Sequence, residues 1–112
     1  MNATQRQIVR KLLDLLIEGG YIVSVWDGTR YVIMDSTNTT DAFTIMGKDG
    51  KDKLEIDVPY QQNQITPYRG QIKLFYDEQP SVTIRSDVTP DVQSIIDQVE
   101  AFADDLATET AP

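Results

Sequence analysis

The segment from Lys53 to Val58 constrains the fold most, because apolar and acidic residues alternate along it. The apolar positions are Leu54, Ile56 and Val58, with Glu55 and Asp57 between them. A period of two predicts a β-strand with one buried face and one face in water. A sheet that contains such a strand is covered by helices on one face only.

Two segments, one near each end of the chain, have the apolar spacing of core-facing helices. We expect the first to begin with a capping box at Thr4 and Gln7 and to end at Gly19-Gly20. Thr89-Pro90-Asp91 predicts the start of the second, with a capping hydroxyl, a proline and an acid at the positive end. Each helix therefore presents one apolar stripe to a core.

Strand and turn patterns occupy the chain between these helices. Tyr21 to Met34 is typical of a β-hairpin, in which Asp27-Gly28 predicts a two-residue type I′ turn. We expect a short helix over residues 39–46, a loop over residues 61–67, and a second hairpin from residues 70–76 and 81–85. The predicted order is α-β-β-α-β-β-β-α.

These elements predict an α+β fold of two layers. About five mostly antiparallel strands form one layer, and the N- and C-terminal helices pack on one face of it. We expect residues 1–107 to form a single domain and residues 108–112 to fray.

Charge and composition narrow the function classes. The chain has a net charge of −8, and residues 77–112 hold nine acids against Arg85 alone. Such a surface repels phosphate backbones and anionic membranes, so we expect no direct nucleic-acid binding and no membrane association. With no cysteine, no long apolar run and no cleavage signal, a cytoplasmic location is expected.

The chain contains no histidine and no cysteine, which removes the commonest general base and the thiol nucleophile. Ser24 is the only hydroxyl in the apolar first strand, and it has no histidine to activate it. We therefore expect no enzyme, no catalytic residue and no cofactor. Four acids, Asp49, Asp52, Glu55 and Asp57, suggest either a cation site or a solvated turn. Their spacing does not fit a calcium loop, and neighbouring lysines offset their charge, which favours the turn.

Three stretches resemble a group of small, functionally uncharacterised proteins encoded by bacteriophages and prophages. They are the hairpin opening from Gly20 to Gly28, the segment Asp35-Ser36-Thr37, and Ser86-Asp87-Val88-Thr89 with the later Ala101 to Leu106. The resemblance covers most of the chain and implies a phage-like origin. It implies no activity and no catalytic residue.

The acidic last helix is the main candidate for partner binding. Asp97, Glu100 and Asp104 share one outward face, and Asp105 lies near the helix's negative end. This face suits a basic or DNA-binding partner, which it would bind by imitating DNA. The alternative is an acidic face kept for solubility.

Aromatic residues form a second candidate surface. Trp26, Tyr31, Tyr60 and Tyr68 suit an exposed protein-binding patch, although filling of the core is the alternative. The sequence thus predicts an interaction protein that binds a host or phage protein through an acidic surface, for example as an inhibitor of a host defence factor. The alternative function is a structural or accessory module that forms a homodimer through a sheet face or edge.

Overall fold

The fold follows the predicted order of elements. The computed structural model describes residues 1–48, 50–59, 66–77 and 80–110 of the chain. The elements in these residues are α1 (Ala3–Glu18), β1 (Ile22–Trp26), β2 (Tyr31–Ser36), α2 (Thr39–Thr44), β3 (Lys51–Asp57), β4 (Tyr68–Phe75), β5 (Thr83–Val88) and α3 (Pro90–Thr110). The α+β class and the order α-β-β-α-β-β-β-α are thereby confirmed.

All five strands belong to one antiparallel sheet with the order β2-β1-β3-β4-β5. The central strand is β3, where Leu54 lies opposite Val25 on one side and Ile72 on the other. All three side chains are fully buried. Paired residues share a face of the sheet, so this row marks the buried face that the alternation in β3 predicted.

The helices cover that buried face. Helix α1 contacts α2 on one side and α3 on the other, while α2 reaches β1 and β2, and α3 reaches β5. The core side chains of α1 are Ile8, Val9, Leu12, Leu13 and Leu16, and those of α3 are Val92, Ile96 and Val99. Within the described ranges no helix lies on the opposite side of the sheet, which we call the open face. The predicted two-layer arrangement is therefore confirmed.

The capping box of α1 lies at a different position from the predicted one. Asn2 and Gln5 form it, in place of Thr4 and Gln7: Gln5 N donates to Asn2 Oδ1 at 2.8 Å, and Asn2 N donates to Gln5 Oε1 at 3.0 Å. The Gln5 amide also donates to the carbonyl oxygens of Tyr76 and Ser81. Asparagine caps helices at least as well as threonine, so both pairs could start the helix. The two hydrogen bonds from Gln5 to the β4–β5 end of the sheet favour the pair Asn2 and Gln5.

The first hairpin also differs from its prediction. Residues 27–30 connect Trp26 to Tyr31, so the loop is longer than a two-residue type I′ turn. Asp27 Oδ1 accepts hydrogen bonds from the backbone N–H groups of Thr29 and Arg30, which hold the pKa of Asp27 below its usual value. A side-chain acceptor of this kind organises the turn without a positive φ at Asp27 itself.

The β1–β2 register contains irregularities. Asp35 has a positive φ of 52°, and its N–H donates to the hydroxyl of Ser24 at 3.0 Å. Ser24 is buried, so its hydroxyl satisfies a strand N–H that the irregular ladder leaves unpaired. Its location is that of a packed serine.

The start of β4 depends on a glycine. Gly70 has a φ of +125°, and a Cβ at this position would lie 2.2 Å from the carbonyl oxygen of Asp87. Only a residue without a side chain lets β4 approach β5 this closely. This region extends the second hairpin beyond its predicted limits, since Gly70 pairs with Val88 at the end of β5. Most of the predicted loop, residues 61–65, lies outside the described residues.

Candidate functional site

The four acids predicted for partner binding all lie on α3 and are exposed: Asp97, Glu100, Asp104 and Asp105. We call these residues the acidic face. The helix carries no lysine or arginine, and no ion pair within the described chain involves any of the four. The four carboxylates are therefore exposed to solvent without an ion pair to a described cation of the same molecule.

One end of the acidic face is attached to the sheet. The Ser86 hydroxyl donates to Gln93 Oε1 at 2.9 Å, and the Gln93 amide donates to Asp97 Oδ1 at 3.0 Å. This chain fixes the position of Asp97 relative to β5. In the part of the molecule that the structure describes, Glu100 and Asp104 make no side-chain hydrogen bond, so these carboxylates remain available to a partner.

Asp91, in the first turn of the same helix, does not belong to the acidic face. The Tyr21 hydroxyl donates to Asp91 Oδ2 at 2.5 Å and so connects the segment after α1 to the beginning of α3. Partial burial of the phenol and this hydrogen bond raise the pKa of Tyr21 to about 12. The role of Asp91 is therefore structural.

The described aromatic candidates, Trp26, Tyr31 and Tyr68, lie on the open face, on the opposite side of the molecule from the helix layer. Trp26 and Tyr31 pack edge to face, with ring centroids 4.9 Å apart and planes at 77°. The ammonium group of Lys53 lies 5.2 Å from the centre of the Trp26 ring. Tyr31 donates a hydrogen bond to Glu55, and this bond with the loss of water around the phenol raises the pKa of Tyr31 to about 12. Trp26 is half-buried by these neighbours.

Tyr68 lies farther along the open face than Trp26, within electrostatic range of Tyr31. Tyr68 pairs with Asp57 near the far end of β3, whereas Trp26 pairs with Lys53. Four residues of strand correspond to about 13 Å. The Tyr68 side chain is 46% exposed, and Tyr60 lies outside the described residues. The candidates therefore divide between two opposite surfaces, the acidic face and the open face.

The acids considered for a cation site are also separated. Asp52 is buried on the helix side, where its Oδ2 accepts from Gly47 N and from the Tyr76 hydroxyl, both at 2.7 Å. Glu55 and Asp57 point to the open face, as the pairing of Glu55 with Ser24 requires. Asp49 is not among the described residues, and those that are described include no group of three acids that could hold a metal ion.

The sequence did not predict a group of basic residues on the open face. Lys51, Lys53 and Lys73 line a cleft of about 340 Å³ together with Trp26 and Phe75. The strand β3 begins at Lys51, two residues before the predicted start at Lys53, so the two lysines share a face. Lys73 belongs to another strand, and only the pairing of β3 with β4 brings it beside them.

No protein-family model, no curated protein and no solved structure matches the chain. None of the helices described is long and apolar enough to cross a membrane. What the geometry defines is a two-layer α+β protein with an acidic helix on one side and an uncovered sheet face on the other.

Proposed function

We propose that this chain is a small interaction protein that binds a basic protein through the acidic face of α3. The observation that carries the proposal is the set of four exposed carboxylates on a helix that has no cation of its own. The proposal assigns no catalytic residue and no cofactor, and it places the protein in the cytoplasm. Complementary charge would guide a basic partner to this face and set its orientation.

The energetics of the helix support a role beyond stability. Like charges three and four residues apart on a helix repel by about 0.2–0.5 kcal/mol per pair. Glu100 lies three residues after Asp97 and four residues before Asp104. A sequence selected only for stability would place lysine or arginine there. Binding to a basic partner would offset the cost.

The charge spacing of the acidic face is wider than that of a nucleic-acid strand. Asp97, Glu100 and Asp104 lie three and four residues apart, so successive charges are about 4.5 and 6 Å apart along the helix axis. One DNA strand carries a charge every 3.4 Å, and the duplex has about twice that density. The sign and exposure of the charges, and not their spacing, therefore support a DNA-binding protein of a host defence system as one concrete basic partner. The resemblance to phage-encoded proteins fits such a role.

A salt-dependent capture experiment tests the proposal. The immobilised protein is exposed to host lysate at low salt and washed at high salt, and the proteins released are identified. Basic or DNA-binding proteins should be held at low salt and released at high salt, because exposed charge contacts are screened. A variant with Asp97, Glu100 and Asp104 all changed to Ser should lose them.

A second variant controls for net charge. Changing Glu18, Asp41 and Asp77 to Ser removes the same three charges from exposed positions outside α3. This control should retain the captured proteins. Equal retention by the α3 variant and the unmodified protein would contradict the proposal.

The open face supports a second candidate function, a homodimer. No helix covers this face in the described chain, and Tyr68 on it is 46% exposed. The edge strand β2 also carries Met34 with 63% of its surface exposed. Sedimentation over a range of concentrations would detect such a dimer. Tyr68→Ser and Met34→Ser should weaken it, whereas the triple α3 variant should not.

A further inference from the structure

A row of cations crosses the open face of a strongly acidic chain. Lys53 on β3 lies opposite Lys73 on β4, and Lys73 lies opposite Arg85 on β5. Like charges directly opposite each other on neighbouring strands destabilise a sheet. The one ion pair at this row is the 3.8 Å contact of Lys53 with Glu55, and Lys73 has no acidic partner among the residues described.

Aromatic rings flank this row and form the walls of the 340 Å³ cleft. Trp26 lies opposite Lys53, and Phe75 lies opposite Lys51. Volumes of about 300–1,000 Å³ are usual for sites that bind small molecules. The cleft therefore joins ammonium groups to flat apolar surfaces at a size that suits a small ligand.

The two carboxylates among the described residues that line this cleft already have partners within the protein. Asp27 accepts two backbone hydrogen bonds from its own loop. Asp52 accepts from Gly47 N and the Tyr76 hydroxyl. The lysine side chains therefore dominate the charge that an incoming ligand would meet.

We propose that this cleft binds a nucleoside phosphate, with the phosphate groups at Lys53 and Lys73 and the base against the Trp26 indole. Ammonium groups bind phosphate as point charges. Stacking of a base on an aromatic side chain contributes about 1–3 kcal/mol. The two kinds of contact together select a ligand that has both a phosphate and a ring.

The surroundings of the cleft favour a single nucleotide over a nucleic-acid strand. The next cross-strand row carries Glu55 and Asp87, on either side of Gln71. A polyanion lying along the open face would pass over these carboxylates and meet a molecule with a net charge of −8. A short anion confined to the lysines avoids that repulsion.

The single tryptophan makes the site directly observable. Trp26 is the only tryptophan, so its indole N–H gives one resonance in a ¹H–¹⁵N NMR spectrum. The protein is titrated separately with ADP, pyrophosphate, adenosine and a single-stranded oligonucleotide. ADP should shift the indole resonance and the amides of Lys53 and Lys73 saturably, and at lower concentration than the other three probes.

Two variants and one control complete the test. Lys53→Gln and Lys73→Gln should each weaken ADP binding by about tenfold, the effect of losing one charged hydrogen bond. Arg10→Gln removes the same charge from an exposed position on α1 and should leave binding unchanged. Loss of folding would be seen as collapse of the whole spectrum, in which case Lys73→Arg, which keeps the charge, should bind ADP.

Three results would overturn the proposal. One is the absence of any saturable shift with ADP up to millimolar concentration. Another is pyrophosphate or adenosine binding as tightly as ADP, which would show that phosphate and ring are not recognised together. The third is tighter binding of the oligonucleotide. None of these results bears on the acidic face, which lies on the other side of the sheet.

Discussion

The buried side chain of Gln5 donates a 2.8 Å hydrogen bond to the carbonyl oxygen of Tyr76 and so attaches the start of α1 to the end of β4. The same amide donates to Ser81 O at 2.9 Å. Gln5→Leu should therefore lower the free energy of unfolding by about 2–3 kcal/mol, because it removes these hydrogen bonds and the capping box. Urea denaturation measures the loss. Gln7→Leu, at an exposed position of the same helix, should change the free energy of unfolding by less than about 0.5 kcal/mol.

Gly70→Ala should destabilise the fold by about 3 kcal/mol. The new Cβ would meet the Asp87 carbonyl oxygen at 2.2 Å and would also require a φ of +125°. Gly28→Ala is the matched control, since Gly28 has a φ of +105° but no atoms within 4 Å of the added Cβ. It should cost about 1 kcal/mol. Equal losses in thermal or urea unfolding would show that the close approach of β4 to β5 is unimportant.

Lys73→Glu should stabilise the sheet, because it replaces repulsion by attraction to Lys53 and Arg85 on either side. We expect a gain of about 0.5–1 kcal/mol in urea unfolding at low salt. Gln71→Glu should instead lower the free energy of unfolding, since Gln71 lies between Glu55 and Asp87 in the next row. A gain for both variants would contradict the register described here.

Stability should decline at alkaline pH. The pKa values of Tyr21 and Tyr31 are both raised to about 12 in the folded protein, against about 10 in the unfolded chain. Below pH 10 both states hold the protons, and between pH 10 and 12 only the folded state does, so the stabilisation is lost across that interval. Unfolding midpoints from pH 9 to 12 should show the decline.

A phenylalanine variant identifies the contribution of one phenol. Tyr21→Phe should make the decline above pH 10 shallower and should remove one late step from the phenolate absorbance at 295 nm. Ionisation of Tyr21 near pH 10 in the folded protein would refute the structural role given to its contact with Asp91.

Glu100→Lys should raise the free energy of unfolding by about 0.5–1 kcal/mol, because it replaces repulsion from Asp97 and Asp104, three and four residues away on α3, by attraction. The gain should be largest at low salt and shrink in 1 M NaCl, where the Debye length is about 3 Å. Thermal unfolding at the two salt concentrations measures the gain. A loss of stability at low salt would mean that Glu100 is stabilised by a contact within the fold.

Local patterns were enough to predict the layers of this protein. Alternation in β3 placed Leu54 and Ile56 inward and Glu55 outward, and the structure has them so. The start of α3 at Pro90 could also be predicted from neighbouring residues alone. The capping box of α1 could not, because Asn2 with Gln5 and Thr4 with Gln7 have the same spacing. The contacts of Gln5 with Tyr76 and Ser81, distant in sequence, favour the first pair.

The lysine cleft could not be predicted because it depends on register between strands. Lys53 and Lys73 belong to different strands, and a shift of one residue between them would move Lys73 to the buried face. The predicted two-residue turn at Asp27-Gly28 was wrong for a similar reason, because the pairing of β1 with β2 is irregular and the loop extends to Arg30. The positions of the four acidic-face carboxylates could be predicted from the sequence alone, since all four lie on one helix.

The contact between α1 and α3 has a consequence for biosynthesis. Lys11 on α1 packs with its ammonium group 5.5 Å from the ring centre of Phe102 on α3. Ribosomes add roughly 5–20 residues per second, so α1 waits about 5 to 18 s for this neighbour. The part of its apolar stripe that packs against α3 is uncovered throughout that interval. The nascent chain is therefore a natural client for chaperones that work at the ribosome exit, and slower translation would prolong its dependence on them.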